Sequence, residues 1–525
     1  MTEMWAGRAS RHIVARLVVE CDLRLQTPAH FGNGDGDKLT DMLLLLDPRD
    51  EAEGLITPLL TGASLAGALR SYLRAKERGY RQPLPVPPSD QQRRAQNRWA
   101  AAERGSLTVA LFGGFKRDDE GLQSPLIVDD ARGEGGGFEL RDGVALDPRS
   151  RTAAEDKKFD LQLWPAGTVF KLRFELCLRA GHRPEDDHDR LRQALGAALA
   201  GLTDGSITLG ARKQRGYGRV LADNWRIKTY DLRRADGLLD WLKRGGESLQ
   251  QQGVTPIDDL TAALGTNAID QRSFFHLTAN FALNGSLLIR AGIGASHFGP
   301  DDVHLHALQA DGKRKPVLSG TSVAGALRAR ASKILNTLGI ESQPQKIVDG
   351  IVDGIVDGIW GADMEKVREP SASRLNVSEH VIAVGDPELE RNLVQSRVSI
   401  DRFTGGARET ALFNQQPLFG QPQSNVTIEL RLINPQDYEI GLLLLLLKDL
   451  WTSDLPLGGE ISVGRGRLRG RDATLKRKEA GGVSKEWMLR APDEASDEVE
   501  INGGERADLE SFVAALHRQL REVMA

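Results

Sequence analysis

LTGASLAGALR, Leu60–Arg70, is written a second time as LSGTSVAGALR, Leu318–Arg328. Each copy reads as a glycine turn, a hydroxyl N-cap and a helix, with Ser64 or Ser322 placed to accept from the first-turn amides. Working outward, further matches follow in one order along both halves. His30-Phe31-Gly32 recurs as His297-Phe298-Gly299, and Asp41 pairs with Asp302 in the loop that follows. LFGG from Leu111 pairs with IWGA from Ile359. VALDPRS from Val144 pairs with VSIDRFT from Val398, and Phe159 and Phe413 each fall twelve residues past Asp147 and Asp401. LGARKQRGYGR from Leu209 and LGGEISVGRGR from Leu457 share the pattern L-G-x5-G-x-G-R. Matches in one order at drifting offsets describe a duplicated domain with loop insertions.

A chain of 525 residues, 40% hydrophobic and 27% charged, has the length and composition of a multidomain globular protein. The amino-terminal stretch lacks an apolar run after its basic residues, so no signal peptide is expected. The longest greasy run, Leu442–Leu447, is closed by Lys448 and Asp449, far short of the ~20 residues of a membrane span. Cys21 and Cys177 are the only cysteines, too few for a disulfide framework or a cysteine zinc site. A cytoplasmic location is expected. The net charge of −4 argues against a globally basic nucleic-acid binder but leaves room for one basic face.

Alternating apolar residues mark strands at the start of each half and in FKLRFELCL and NVTIELRL, with helical stretches between them. The expected class is therefore α/β (α+β), in three parts: a first domain over 1–228, a polar linker over 229–271, and a second domain over 272–525 with a carboxy-terminal extension. IVDGIVDGIVDG, Ile347–Gly358, reads as a weak helix or loop without chemistry, because glycine costs about 1 kcal/mol per helical position. No phosphate loop and no dinucleotide fingerprint occurs, so no nucleotide cofactor is expected.

The chemistry lies in two places. Gly216-Tyr217-Gly218-Arg219 and Gly464-Arg465-Gly466-Arg467 are glycine loops beside Arg212, Lys213 and Arg215 in the first half. They suit either a tight turn between strands or contact with phosphate. Asp41 and Asp302 stand in equivalent loops. A carboxylate there is either a turn former or, beside an RNA backbone, a group that holds a metal or helps deprotonate a 2′-hydroxyl. His30 and His297 lie near by, as assistants or as structural histidines.

LTGASLAGALR, LFGG, the VALDPRS…F stretch and LGARKQRGYGR resemble, in order and in both halves, the RAMP superfamily of CRISPR-associated proteins. More narrowly they resemble backbone subunits of type III effector complexes, in the tandem form of type III-D variants. The resemblance covers about residues 10–225 and 273–472. It implies two ferredoxin-like (RRM-like) domains with projecting thumb hairpins and loop insertions. It implies binding of the CRISPR guide RNA (crRNA) and of complementary target RNA, with other type III effector subunits as partners and no membrane. It implies cleavage of the target at two sites by Asp41 and Asp302 with a divalent metal, Mg2+ or Mn2+. Guide contacts would fall on Ser64, Arg70, Arg212, Lys213, Arg215, Tyr217, Arg219, Ser322, Arg328, Arg465 and Arg467. The thumbs would carry Asp147, Arg149 and Arg151 in the first half and Asp401, Arg402 and Arg408 in the second. Ala66 and Ala324 stand where family members often carry a lysine, which moves the expected phosphate contacts onto the arginines. Two alternatives accompany this reading, a non-catalytic guide-binding backbone and an endonuclease that processes precursor guide RNA.

Overall fold

The computed structural model describes residues 12–36, 40–51, 53–80, 105–114, 123–135, 137–146, 152–180, 187–265, 270–291, 299–339, 345–362, 371–386, 393–493 and 498–524. His297, Asp147, Arg149 and Arg151 fall outside these residues.

The first half is built on an antiparallel sheet. Its long strand β1 (Ile13–Leu25) pairs on one side with β5 (Val169–Arg179) and on the other with β6 (Val220–Asp231). A short strand β2 (Leu126–Val128) adds to β5. Alternation decides which face is covered: Leu17, Val19, Leu23, Phe170, Leu172 and Phe174 are buried. On that face lie helices α1 (Gly62–Arg78) and α2 (His188–Thr203), which add Leu65, Leu69, Leu195 and Leu199 to one core. The chain order is βαββαβ and the spatial order is β6-β1-β5-β2, the ferredoxin-like arrangement. Between β2 and β5 projects a two-stranded hairpin, β3 (Glu139–Leu146) with β4 (Ala153–Leu163).

The second half repeats this plan. Strand β7 (Phe274–Asn284) lies between β12 (Val426–Ile433) and β13 (Arg467–Lys478), and β9 (Leu375–Val377) flanks β12. Helices α4 (Gly320–Gly339) and α6 (Asp437–Trp451) cover Phe275, Leu277, Ala279 and Phe281. The hairpin is β10 (Gln395–Ile400) with β11 (Ala407–Gln416), and a two-residue strand β8 (Asp302–Val303) runs parallel to β11. The carboxy-terminal extension widens the sheet with β14 (Ser484–Arg490) and β15 (Glu500–Asn502), and packs helix α7 (Arg506–Met524) on α6.

Two sequence expectations change. Residues 229–271 do not form a bare linker. Strand β6 runs on to Asp231, and helix α3 (Ala235–Arg244) places Trp241 edge-on to Tyr230 at 5.1 Å. Leu249 is fully buried, and Leu260 and Leu264 enter the first-half core. The IVDG repeat is helical throughout α5 (Gln345–Trp360). Its period of four puts Val348, Val352 and Val356 on one buried stripe, and that burial outweighs the glycine cost.

The two halves share a charged junction. Arg141 at the base of the first hairpin is buried against Glu379 of the second half, with guanidinium nitrogens 2.5 and 3.1 Å from its two carboxylate oxygens. Glu139 of the first half accepts from the Leu308 backbone N–H. No helix of the described residues is long and apolar enough to cross a membrane.

Candidate functional site

The glycine loops have the same backbone in both halves. Leu209 N–H donates to the Gly218 carbonyl and Leu457 N–H to the Gly466 carbonyl, each at 2.9 Å. A Cβ on either glycine would sit 1.8 Å from the carbonyl oxygen of that leucine, so only glycine fits. Their surroundings differ. In the first half the loop is inserted against the second domain: a Cβ on Gly216 would meet the Glu379 backbone nitrogen at 2.5 Å, whereas one on Gly464 would meet nothing within 4 Å.

This insertion occupies several side chains expected to reach phosphate. Arg219 donates to Glu429 at 2.6 Å and to Ser378 at 3.4 Å. Arg215 donates to the Trp360 carbonyl at 3.4 Å. Tyr217 is buried beneath Arg141, and Arg212 lies on the Phe159 ring at 3.9 Å. Glu429 gathers His276 and His380 as well, each donating at 3.0 Å. Burial pushes its carboxyl up, but those two imidazoles and Arg219 prevail and hold it far below the usual carboxylate range. In the second half Arg465 is 2% exposed and donates to Glu460, Gln395 and Gln415. Arg465 and Tyr217, both buried, are thus corrected from phosphate contacts to members of internal clusters, and Arg219 is engaged in an inter-domain ion pair while its side chain stays partly exposed. Lys213 and Arg467 are exposed.

The repeated helix motif is capped by residues other than those expected. Thr61 and Ser319 accept the backbone N–H of Ser64 and Ser322 at 3.3 Å, while the hydroxyls of Ser64 and Ser322 sit 2.9 Å from the cap oxygens. Arg70 donates to the Gly113 carbonyl, and Arg328 is paired with Asp357 at 2.6 Å. Arg70 ties α1 to the LFGG segment, and Arg328 ties α4 to the end of the IVDG repeat in α5.

His30 is 3% exposed. Its Nδ1 donates to the Gln162 carbonyl at 2.8 Å, and a Cβ on Gly32 would lie 2.5 Å from its Nε2. The His-Phe-Gly triplet is a packing unit, and His30 is structural.

Asp41 is exposed at the base of the first hairpin, and its Oδ2 accepts the Asp160 backbone N–H at 2.9 Å. Next to it Met42 bridges in parallel to Leu161 on β4. In the second half the parallel bridge to β11 joins Asp302 to Gln415, and it is Asp301 whose Oδ2 accepts a hairpin backbone N–H, that of Asn414, at 2.7 Å. The surrounding ladder agrees. Leu45 N–H donates to the Phe31 carbonyl and Leu305 N–H to that of Ile289, while Asn33 and Ala291 donate to Leu43 and Val303. The counterpart of Met42 is therefore Asp302, that of Asp41 is Asp301, and that of His30 is Leu288. Both the pairing of Asp41 with Asp302 and that of the two HFG triplets are corrected by one hydrogen-bond register. Asp302 points into a polar cluster under the second hairpin: Arg290 Nε lies 3.3 Å from its Oδ1 and Gln415 Nε2 donates to its Oδ2 at 3.0 Å. Glu460 joins this cluster through Arg397 and Arg465. Asp301, Arg290 and Glu460 were missed in the sequence; the only signal was the Asp301-Asp302 doublet.

The second hairpin ends in an exposed turn. Asp401 accepts from the N–H groups of Phe403 and Thr404, at 2.9 and 2.8 Å, and these bonds lower its carboxyl pKa. Phe403 is 96% exposed, and Arg402 and Arg408 project beside it. Among the described residues, no group of three or more His, Cys, Asp or Glu side chains could by itself hold a metal ion.

Two ferredoxin-like domains, each with a projecting hairpin, a glycine loop and an aspartate at the hairpin base, define the class of this protein. The profile of the RAMP superfamily matches it twice, over residues 22–221 and 283–469. The chain belongs to the RAMP superfamily, whose members are CRISPR-associated RNA-binding proteins. A comparison with curated proteins finds no match.

Proposed function

We propose that this chain is a backbone subunit of a type III CRISPR effector complex, binding guide RNA and cutting the paired target RNA once in each half. One observation carries this reading: in each half an exposed loop aspartate is hydrogen-bonded to the backbone at the base of a hairpin long enough to enter a duplex. Exposed Lys213, Arg467, Arg402 and Arg408 supply positive charge on a chain of net charge −4. They favour a local phosphate track over a globally basic surface.

The reaction that fits is transfer within the target strand. The 2′-hydroxyl oxygen attacks the adjacent phosphorus, the P–O2′ bond forms as the P–O5′ bond breaks, and a cyclic 2′,3′-phosphate and a 5′-hydroxyl result. The 2′ proton passes toward the carboxylate, and the leaving O5′ takes a proton from water. Asp41 in the first half and an aspartate of the 301–302 pair in the second serve as these carboxylates. A single carboxylate per site fits Mg2+ or Mn2+, which such sites hold through one carboxylate, RNA phosphates and water, and which would supply charge stabilisation. The hairpin, by displacing a base, orients the 2′-oxygen in line.

The test is cleavage of end-labelled target RNA by the complex assembled with guide and partner subunits. Two metal-dependent cuts are expected, both lost when Asp41, Asp301 and Asp302 are all changed to Asn, with guide binding retained. Unchanged cutting by that triple variant would remove these carboxylates from the chemistry and leave a guide-binding backbone.

A further inference from the structure

We infer that Asp301, and not Asp302, is the cleaving carboxylate of the second half. This deepens the proposed function and rests on it. Phe159 and Phe413 mark the same point on the two hairpins, opposite Gly143 and Arg397. The residue after each phenylalanine, Asp160 or Asn414, donates its backbone N–H to a loop carboxylate, and the accepting carboxylates are those of Asp41 and Asp301. Each of the two is exposed, and among the described residues each has one oxygen without a partner.

Asp302 is in the opposite situation. Successive residues of an extended chain face opposite sides, so its side chain turns away from the one that Asp301 presents. Both of its oxygens are engaged, by Arg290 and by Gln415. Its counterpart Met42 packs in the apolar cluster of Leu161, Leu163 and Tyr217 beneath the first hairpin. Gln415 and Arg465 replace Leu161 and Tyr217, and Asp302 belongs to that exchange of an apolar floor for a polar one. Asp302 is a hairpin-floor residue.

One mechanical consequence follows. Because each cleaving carboxylate is bonded to the return strand of its own hairpin, the hairpin and the acid move as one unit. The cut then falls where the hairpin enters the duplex.

The experiment maps cuts in labelled target RNA with assembled complexes carrying Asp301→Asn or Asp302→Asn, with Asp41→Asn as reference. Asparagine keeps an oxygen for the Asn414 N–H and removes the charge. Asp301→Asn is expected to slow the second cut by about 100-fold or more, the usual scale for losing an acid–base group. The first cut and guide retention should stay unchanged. Asp302→Asn should leave both cuts and, since its pair with the half-exposed Arg290 contributes little, should move the melting temperature little. Loss of the second cut by Asp302→Asn alone, or loss of both cuts or of the guide by Asp301→Asn, overturns the inference. If Asp41→Asn also leaves both cuts intact, it is the nuclease reading itself that fails.

Discussion

His304 shows how far two copies of one fold can drift at a single position. Its counterpart is Leu44, and it keeps a leucine's burial at 2% exposure while accepting the Ile289 N–H on Nδ1 at 3.2 Å. Burial, with His306 beside it, pushes its pKa down to about 3. In the unfolded chain an ordinary histidine titrates near ~6.5. Between those values the unfolded state binds a proton that the folded state refuses, so the contribution is fully present above ~6.5 and is lost as pH falls. From neutral pH to pH 5 this one residue should cost the second half about 2 kcal/mol. His304→Leu should therefore shrink the drop in melting temperature between pH 7 and pH 5. An equal drop in both proteins would contradict this origin.

At the scale of elements, the legible features were those written in local backbone needs. The L-G-x5-G-x-G-R pattern is a loop in which Gly218 and Gly466 each press on a carbonyl, and no other residue can stand there. Strand alternation likewise announced β5 and β12, while the ferredoxin-like order was implied by the family resemblance. The aspartate and histidine pairings were not legible, because letters were matched across a loop whose length differs between halves. The bridges Met42–Leu161 and Asp302–Gln415, with the backbone ladder beside them, reveal the true register. The hydroxyl cap was placed three residues late, at Ser64 rather than Thr61, since either serves as an N-cap on paper. In α5 the glycines left helix and loop both open, and the structure decides for the helix. Gly350 and Gly354 lie on its exposed side, where an added Cβ would meet nothing within 4 Å. Changing both to Ala should stabilise the protein by about 1–2 kcal/mol in denaturant unfolding. No gain would mean that α5 is not helical at those positions in solution.

At the scale of the whole molecule, the junction explains why the first glycine loop is occupied by protein. Arg141 is buried and its guanidinium is strongly held in the charged form: burial opposes the charge, but Glu379 outweighs it. Removing Glu379 leaves the buried Arg141 only the more distant Glu139, 3.5 Å away, and breaking one side of a buried pair costs up to about 3–5 kcal/mol. Glu379→Ala should lower unfolding stability by that order, and separate the melting of the halves into two steps. A loss below about 1 kcal/mol would show that the halves do not depend on this pair. The same junction fixes the two hairpins relative to each other, so a duplex lying along both would be cut at a constant spacing. The most direct measurement is the pattern of cuts made in end-labelled target RNA by the assembled complex with Asp41→Asn. One of two cuts is expected to disappear while the other keeps its position and rate; two undiminished cuts would contradict a cleaving role for Asp41.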